Sequence, residues 1–175
     1  MNNDDQKKTL KKIRIYLVIF FLGILFSLHT VLFVEVETAF FVKHLGPGTA
    51  MEQKLPIVSE WIENLYISVK ETYTNYPAIA YCMDWLSYAC VVFAIFMIGA
   101  IKDPVKNIWI IQAYMLACLL AAALPFIAGP FREIPIFWRF LDGSLGVIGF
   151  FVLLMPYKLT KSLASSQTLK LTEKY

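Results

Sequence analysis

Three charges interrupt segments that are otherwise apolar enough to lie in lipid: Asp84, Arg139 and Asp142. A charge at membrane depth costs about 3 kcal/mol on insertion scales unless it meets a partner or water. Each therefore predicts a polar site inside a helical bundle. His29 adds an imidazole to the first apolar run. Tyr81 and Tyr88 stand three residues before and four after Asp84, so helical spacing puts them on its face. Trp85 and Trp138 adjoin the charged positions. Aromatic walls with a few convergent polar groups are the usual lining of a small-ligand site. Two acids sharing one arginine can differ in protonation, which suits proton shuttling, acid–base isomerisation or the gripping of a cationic amphiphile. The candidate ligand-binding set is His29, Tyr81, Asp84, Tyr88, Trp138, Arg139 and Asp142. Asp84 and His29 are the candidates for catalysis.

The elements that must position these residues follow from composition. Of 175 residues, 58% are apolar and 15% aromatic, an excess that needs a non-aqueous home. The apolar residues gather in four runs, giving spans at about 14–36, 78–101, 105–128 and 135–156. Each has the roughly 20 residues that cross about 30 Å of hydrocarbon. The fold expected is all-α, a four-transmembrane-helix bundle forming one domain over 1–175. A further helix is expected over 56–73 in the outer loop. There Val58, Trp61, Ile62, Leu65 and Val69 recur at spacings of three and four, an amphipathic pattern. Trp61 and Leu65 on that stripe are candidates for docking a membrane-protein partner.

Counting at 1.5 Å per residue gives depth. His29 lies six residues inside Glu35, Asp84 seven inside Pro77 and Asp142 seven inside Pro135, which puts all three about 10 Å below the outer surface. Arg139 is one turn above Asp142. A pair along this helix, or an arginine bridging two acids, would fix register without any ligand. On the third span Ala113, Ala117 and Ala121 form a small-residue stripe, expected to face Gly146 and Gly149 of the fourth. Gln112 is expected to join helices away from the polar level. Asp103-Pro104 predicts an N-cap and first turn for span three, and Pro125 with Gly129-Pro130 its end.

Charge sets orientation. Lys7, Lys8, Lys11, Lys12 and Arg14 precede the first span, Lys102 and Lys106 separate the second and third, and Lys158 and Lys161 follow the last. Glutamates dominate the loop between spans one and two. By the positive-inside rule both termini are cytoplasmic. The basic N-terminus fits topology and anionic lipid, and nucleic acid is not an expected partner. The first span reads as an uncleaved anchor, because it is long and lacks a small-residue cleavage pattern. Cys82, Cys90 and Cys118 fall within spans without CxxC spacing, so no disulfide, metal or cofactor is expected. No P-loop, HExxH, dinucleotide glycine pattern or Ser-His-Asp order supports an ATPase, hydrolase or dehydrogenase.

The stretches DWLSYACVVFAIFMIGAIKDPVKNIWIIQ and IAGPFREIPIFWRFLDGSLGV, between Asp84 and Val147, resemble a group of uncharacterised bacterial four-span membrane proteins. The resemblance covers the last three spans and implies a multi-pass protein of the bacterial inner membrane. In layout the chain is also similar to the EXPERA-type membrane proteins, which include sterol isomerases and the sigma-2 receptor. That likeness implies a ligand cavity with acidic groups, with His29, Glu35 and Asp84 as the nearest counterparts by span and depth. Three functions are consistent with these readings. The first is an outward-facing intramembrane pocket for a lipid or small amphiphile. The second is a non-catalytic membrane subunit, alone or as a homo-oligomer, whose polar cluster is structural. The third is an intramembrane isomerase using Asp84 and His29.

Overall fold

The computed structural model describes the backbone of residues 3–172 and the side chains of 4–166. The described residues are all-α, without a strand. In chain order the helices are α1 (Asn3–Leu32), α2 (Val34–Leu45), α3 (Ala50–Lys54), α4 (Pro56–Asn75), α5 (Pro77–Lys102), α6 (Ile108–Ala128) and α7 (Ile136–Thr172), with a 3₁₀ turn at Pro130–Arg132. Among the described residues α1, α5, α6 and α7 are long and apolar enough to cross a membrane. Their surfaces agree: Phe26 is 67% exposed, Ile95 61%, Leu120 63% and Ile148 58%. Apolar side chains spread over whole helices at that exposure have no stable home in water. The chain is therefore a four-span helical membrane protein.

Contacts group the chain into two compact units, Met1–Gly23 with Phe93–Tyr175, and Ile24–Val92. In the first unit α6 packs along α7. Gly146 makes the closest approach: a Cβ there would lie 2.5 Å from the Cys118 carbonyl oxygen and 2.6 Å from the Ala122 nitrogen. Gly143 and Gly149 continue this face, against Phe126 and Ala122 and against Cys118 and Phe20. The expected partner stripe is not used, because Ala113, Ala117 and Ala121 are exposed. Span three is apolar all round, so spacing alone does not choose its packing face. Gln112 does join helices, its Nε2 donating to the Tyr157 hydroxyl at 3.4 Å. The Tyr114 hydroxyl donates to the Phe93 carbonyl, and its ring lies edge-on to Phe20 and Phe93.

Element boundaries differ from expectation where side chains compete for the backbone. Helix α1 begins at Asn3, inside the polar leader. It stops at Leu32, and α2 resumes after Phe33 instead of continuing the span. Asp103-Pro104 does not open α6. The Asp103 carboxylate accepts from the Lys106 amide at 3.1 Å, and Asn107 Nδ2 donates to the Gly99 and Asp103 carbonyls, each at 3.0 Å. These bonds hold 103–107 as a turn, and α6 starts at Ile108. Pro125 lies inside α6 and Pro156 inside α7, so neither ends its helix. Beyond Pro156, Thr160 and Leu163 are still buried.

In the second unit Gly46-Pro47-Gly48 breaks the chain between α2 and α3, with Gly48 at φ +83°, a conformation favouring glycine. Thr49 then caps α3, its hydroxyl accepting from the Met51 amide at 3.2 Å. Pro56 occupies the first turn of α4, where its missing N–H costs nothing. Helix α4 packs on α2 and α3. Ser59 and Ile62 are buried on it, and Val58, Trp61, Leu65 and Val69 are half-buried.

Candidate functional site

Residues 24–92 carry the denser polar group. His29 lies three residues before the end of α1, about 5 Å along the axis, closer to the helix end than a count from Glu35 predicts. Its Nδ1 is 2.8 Å from Glu37 Oε1. Eight residues of straight helix would separate their Cα atoms by about 12 Å. The interruption at Phe33 lies midway between them and brings them together. The imidazole stays 59% exposed while the carboxylate is 24% exposed, so one ring face is free. Phe33 stacks at a tilt on the same ring, with centroids 4.9 Å apart.

Asp84 lies seven residues inside α5 and is exposed. Among the described residues it has no salt-bridge partner. Tyr81, Trp85 and Tyr88 flank it as an edge-to-face ladder, with centroids 6.1 Å and 5.9 Å apart. All three rings are exposed, at 58%, 57% and 60%. Tyr73, near the end of α4, senses two acids at once. Burial pushes its phenol above the ordinary value, and the negative charges of Asp84 and then Glu35 push it further in the same direction. The field at Tyr73 thus ties an acid of α5 and an acid of α2 to one neighbourhood. Sequence reasoning missed Tyr73 as a member of this group, and Glu37 as the partner of His29. The one signal in the sequence that could have found the first is a tyrosine four residues before the Pro77 that opens a span. No spacing rule pointed to the second, because it depends on the break at Phe33.

In the other unit Arg139 is engaged locally. Its Nε donates to the Ile134 carbonyl at 2.6 Å. Gly129 leaves room for it, since a Cβ there would lie 2.9 Å from both Arg139 Cδ and Nε. The turn that aims the Ile134 carbonyl is itself unusual. Glu133 sits in the left-handed region at φ 55°, and the Ile134 amide returns to the Gly129 carbonyl at 3.0 Å. Arg139 thus fastens the α6–α7 turn. It forms no ion pair with Asp142, one turn along; among the described residues the ion pairs are His29–Glu37 and Lys106–Asp103. Asp142 is exposed on α7, whose buried face runs through Gly143, Gly146 and Leu153. Trp138 is half-buried beside Arg139. Trp61 and Leu65 lie half-buried on the side of α4 that carries Ser59 and Ile62. Cys82, Cys90 and Cys118 are free thiols, and no metal-holding group of three His, Cys, Asp or Glu occurs among the described residues.

Comparison with protein-family models, curated proteins and solved structures finds no match, so the chemistry of the site carries the functional reading alone.

Proposed function

We propose that residues 24–92 form an outward-facing membrane site for a small amphiphile with a cationic head group, with Asp84 as its anchor. The observation that carries the reading is Asp84 itself, an exposed carboxylate without a salt-bridge partner among the described residues, inside an apolar helix. A charge in that position is costly unless something compensates it. The ladder of Tyr81, Trp85 and Tyr88 around it supports an ammonium ligand, because exposed aromatic faces attract cations. Glu35 adds negative potential at Tyr73, and Glu37 holds the His29 ring. Arg139 serves the α6–α7 turn in this reading, and Asp142 and Trp138 are not needed for binding.

The test uses sphingosine as the cationic probe and oleyl alcohol as its neutral counterpart, with the full chain in zwitterionic nanodiscs. Quenching of tryptophan fluorescence and native mass measurement both report binding. Wild type is expected to retain sphingosine and not oleyl alcohol. Asp84→Asn should weaken sphingosine by about tenfold or more, the worth of a charge-assisted contact. Equal binding by wild type and Asp84→Asn would overturn the reading.

A further inference from the structure

The basic end of the first unit carries a site of opposite chemistry, independent of Asp84. Lys7, Lys11 and Arg14 recur at spacings of four and three on one face of α1, above Ile15, Val18 and Ile19. Together with Leu10 these residues line an open groove of about 550 Å³. Its floor is apolar and exposed, with Ile15 51%, Val18 40% and Ile19 51% accessible. The opposite face of α1 is spent in the core, since Ile13 and Leu17 are fully buried. A second hollow of about 310 Å³ adjoins it, sharing Leu10 and Arg14 and adding Lys102, Asp103 and Lys106. The charged groups lining the two hollows are thus five cations and one carboxylate, Asp103. That carboxylate is already engaged by the Lys106 amide, with the Lys106 ammonium 3.8 Å away.

Arg14 is the fixed point. Its Nε donates to the Ile101 carbonyl at 3.1 Å and its Nη2 to the Lys102 carbonyl at 3.0 Å. Those are last-turn carbonyls of α5, which favour a cation. The bonds stop Arg14 swinging into solvent and leave Lys7, Lys11 and Lys102 free to move around it. A rigid cation ringed by mobile ones, directly above an apolar trough parallel to a membrane-spanning helix, complements a phosphodiester with an acyl chain below it. We infer that this groove binds an anionic phospholipid, the head group held by Lys7, Lys11 and Arg14 and one chain lying on Ile15, Val18 and Ile19. Free phosphate satisfies only the upper half of the site, and a neutral lipid only the lower half.

The experiment measures retention of phosphatidylglycerol against phosphatidylcholine by native mass measurement of the full chain released from mixed micelles. Phosphatidylglycerol should be retained preferentially. Lys7→Gln with Lys11→Gln should reduce its affinity about 25-fold, roughly fivefold for each lysine near the surface. Lys158→Gln with Lys161→Gln removes the same charge from residues that line neither hollow and should change it less than twofold. Val18→Trp fills the trough without touching charge and should also release the lipid, while millimolar glycerol phosphate should not compete. Circular dichroism confirms that each variant is helical, and Val18→Trp decides the matter alone should the lysine pair not fold. Equal losses from the two lysine pairs, displacement by glycerol phosphate, unchanged retention in Val18→Trp, or a protein dimer abolished by Val18→Trp would each overturn the inference.

Discussion

Replacing Gly146 by alanine tests the packing on which the first unit depends. The new methyl would lie 2.5 Å from the Cys118 oxygen, 2.6 Å from the Ala122 nitrogen and 3.0 Å from the Ala122 Cα. Comfortable carbon contacts begin near 3.5 Å, so α6 and α7 must separate by about 1 Å. All three obstacles are backbone, and no side chain can rotate away. Overpacking of this kind costs about 1–3 kcal/mol, and backbone obstruction places it near the upper figure. Alanine recovers about 1 kcal/mol through helix propensity. The net expected loss is about 2 kcal/mol, or a fall of roughly 5 °C in the thermal midpoint of the detergent-solubilised protein. Two sister variants supply the scale. Gly149→Ala meets the Cys118 sulfur at 2.9 Å, a side-chain atom that can move, and should be near neutral. Gly23→Ala meets nothing within 4 Å and should be neutral or up to about 1 kcal/mol stabilising. Equal midpoints for Gly146→Ala and Gly23→Ala would refute the close approach of α6 and α7.

Arg139→Met should cost about 1.5–3 kcal/mol in thermal unfolding, because the Ile134 carbonyl loses a charge-assisted donor; sphingosine affinity should be unchanged, and a parallel loss would put Arg139 back among the ligand-binding residues. The tyrosinate absorbance difference between wild type and Tyr73→Phe should show Tyr73 ionising above the usual value of about 10, and Asp84→Asn should move that transition down. Since its folded value is the raised one, the Tyr73 contribution to stability is fully present below about pH 10 and is lost as pH rises through the folded value. Thr160 is fully buried, and its hydroxyl has no hydrogen-bond partner among the described residues. Thr160→Val should therefore stabilise the protein by about 1 kcal/mol in the same thermal assay, and a loss would show that the hydroxyl is engaged.

The spans were legible because hydropathy over twenty residues is a strong signal, and Pro77 marks the start of α5 where proline is best tolerated. The caps were less so. Asp103-Pro104 has the composition of a helix start, yet Asn107 offers its amide to two carbonyls and moves that start to Ile108. A capping rule that reads two residues does not anticipate a competitor four residues on. The packing face of α6 was hidden for a related reason: alanine recurs on one side and Cys118, Ala122 and Gly129 on another, and small residues permit contact on either. The deciding information lies on α7, where Gly143, Gly146 and Gly149 leave a trough that fits only one of them.

The polar groups show the same limit more sharply. Residue counting along a helix fixes depth, and depth alone suggested that His29, Asp84, Arg139 and Asp142 share one purpose. Direction around the axis is a separate variable, and in a helix apolar on all sides the sequence does not encode it. Arg139 illustrates the consequence. Its stem points back towards the preceding turn, as helical side chains do, and there it finds the Ile134 carbonyl before it can find an acid. Asp84 has no such local acceptor or donor to satisfy it, since a carboxylate needs hydrogens and the carbonyls of α5 offer none. A cation in the first turn of a span can be absorbed by its own loop, whereas an anion one turn deeper must look to another molecule or another helix. That asymmetry sets Asp84 and Asp142 apart from Arg139, and the aromatic ladder of Tyr81, Trp85 and Tyr88 makes Asp84 the one on which a ligand-binding function should be tested first.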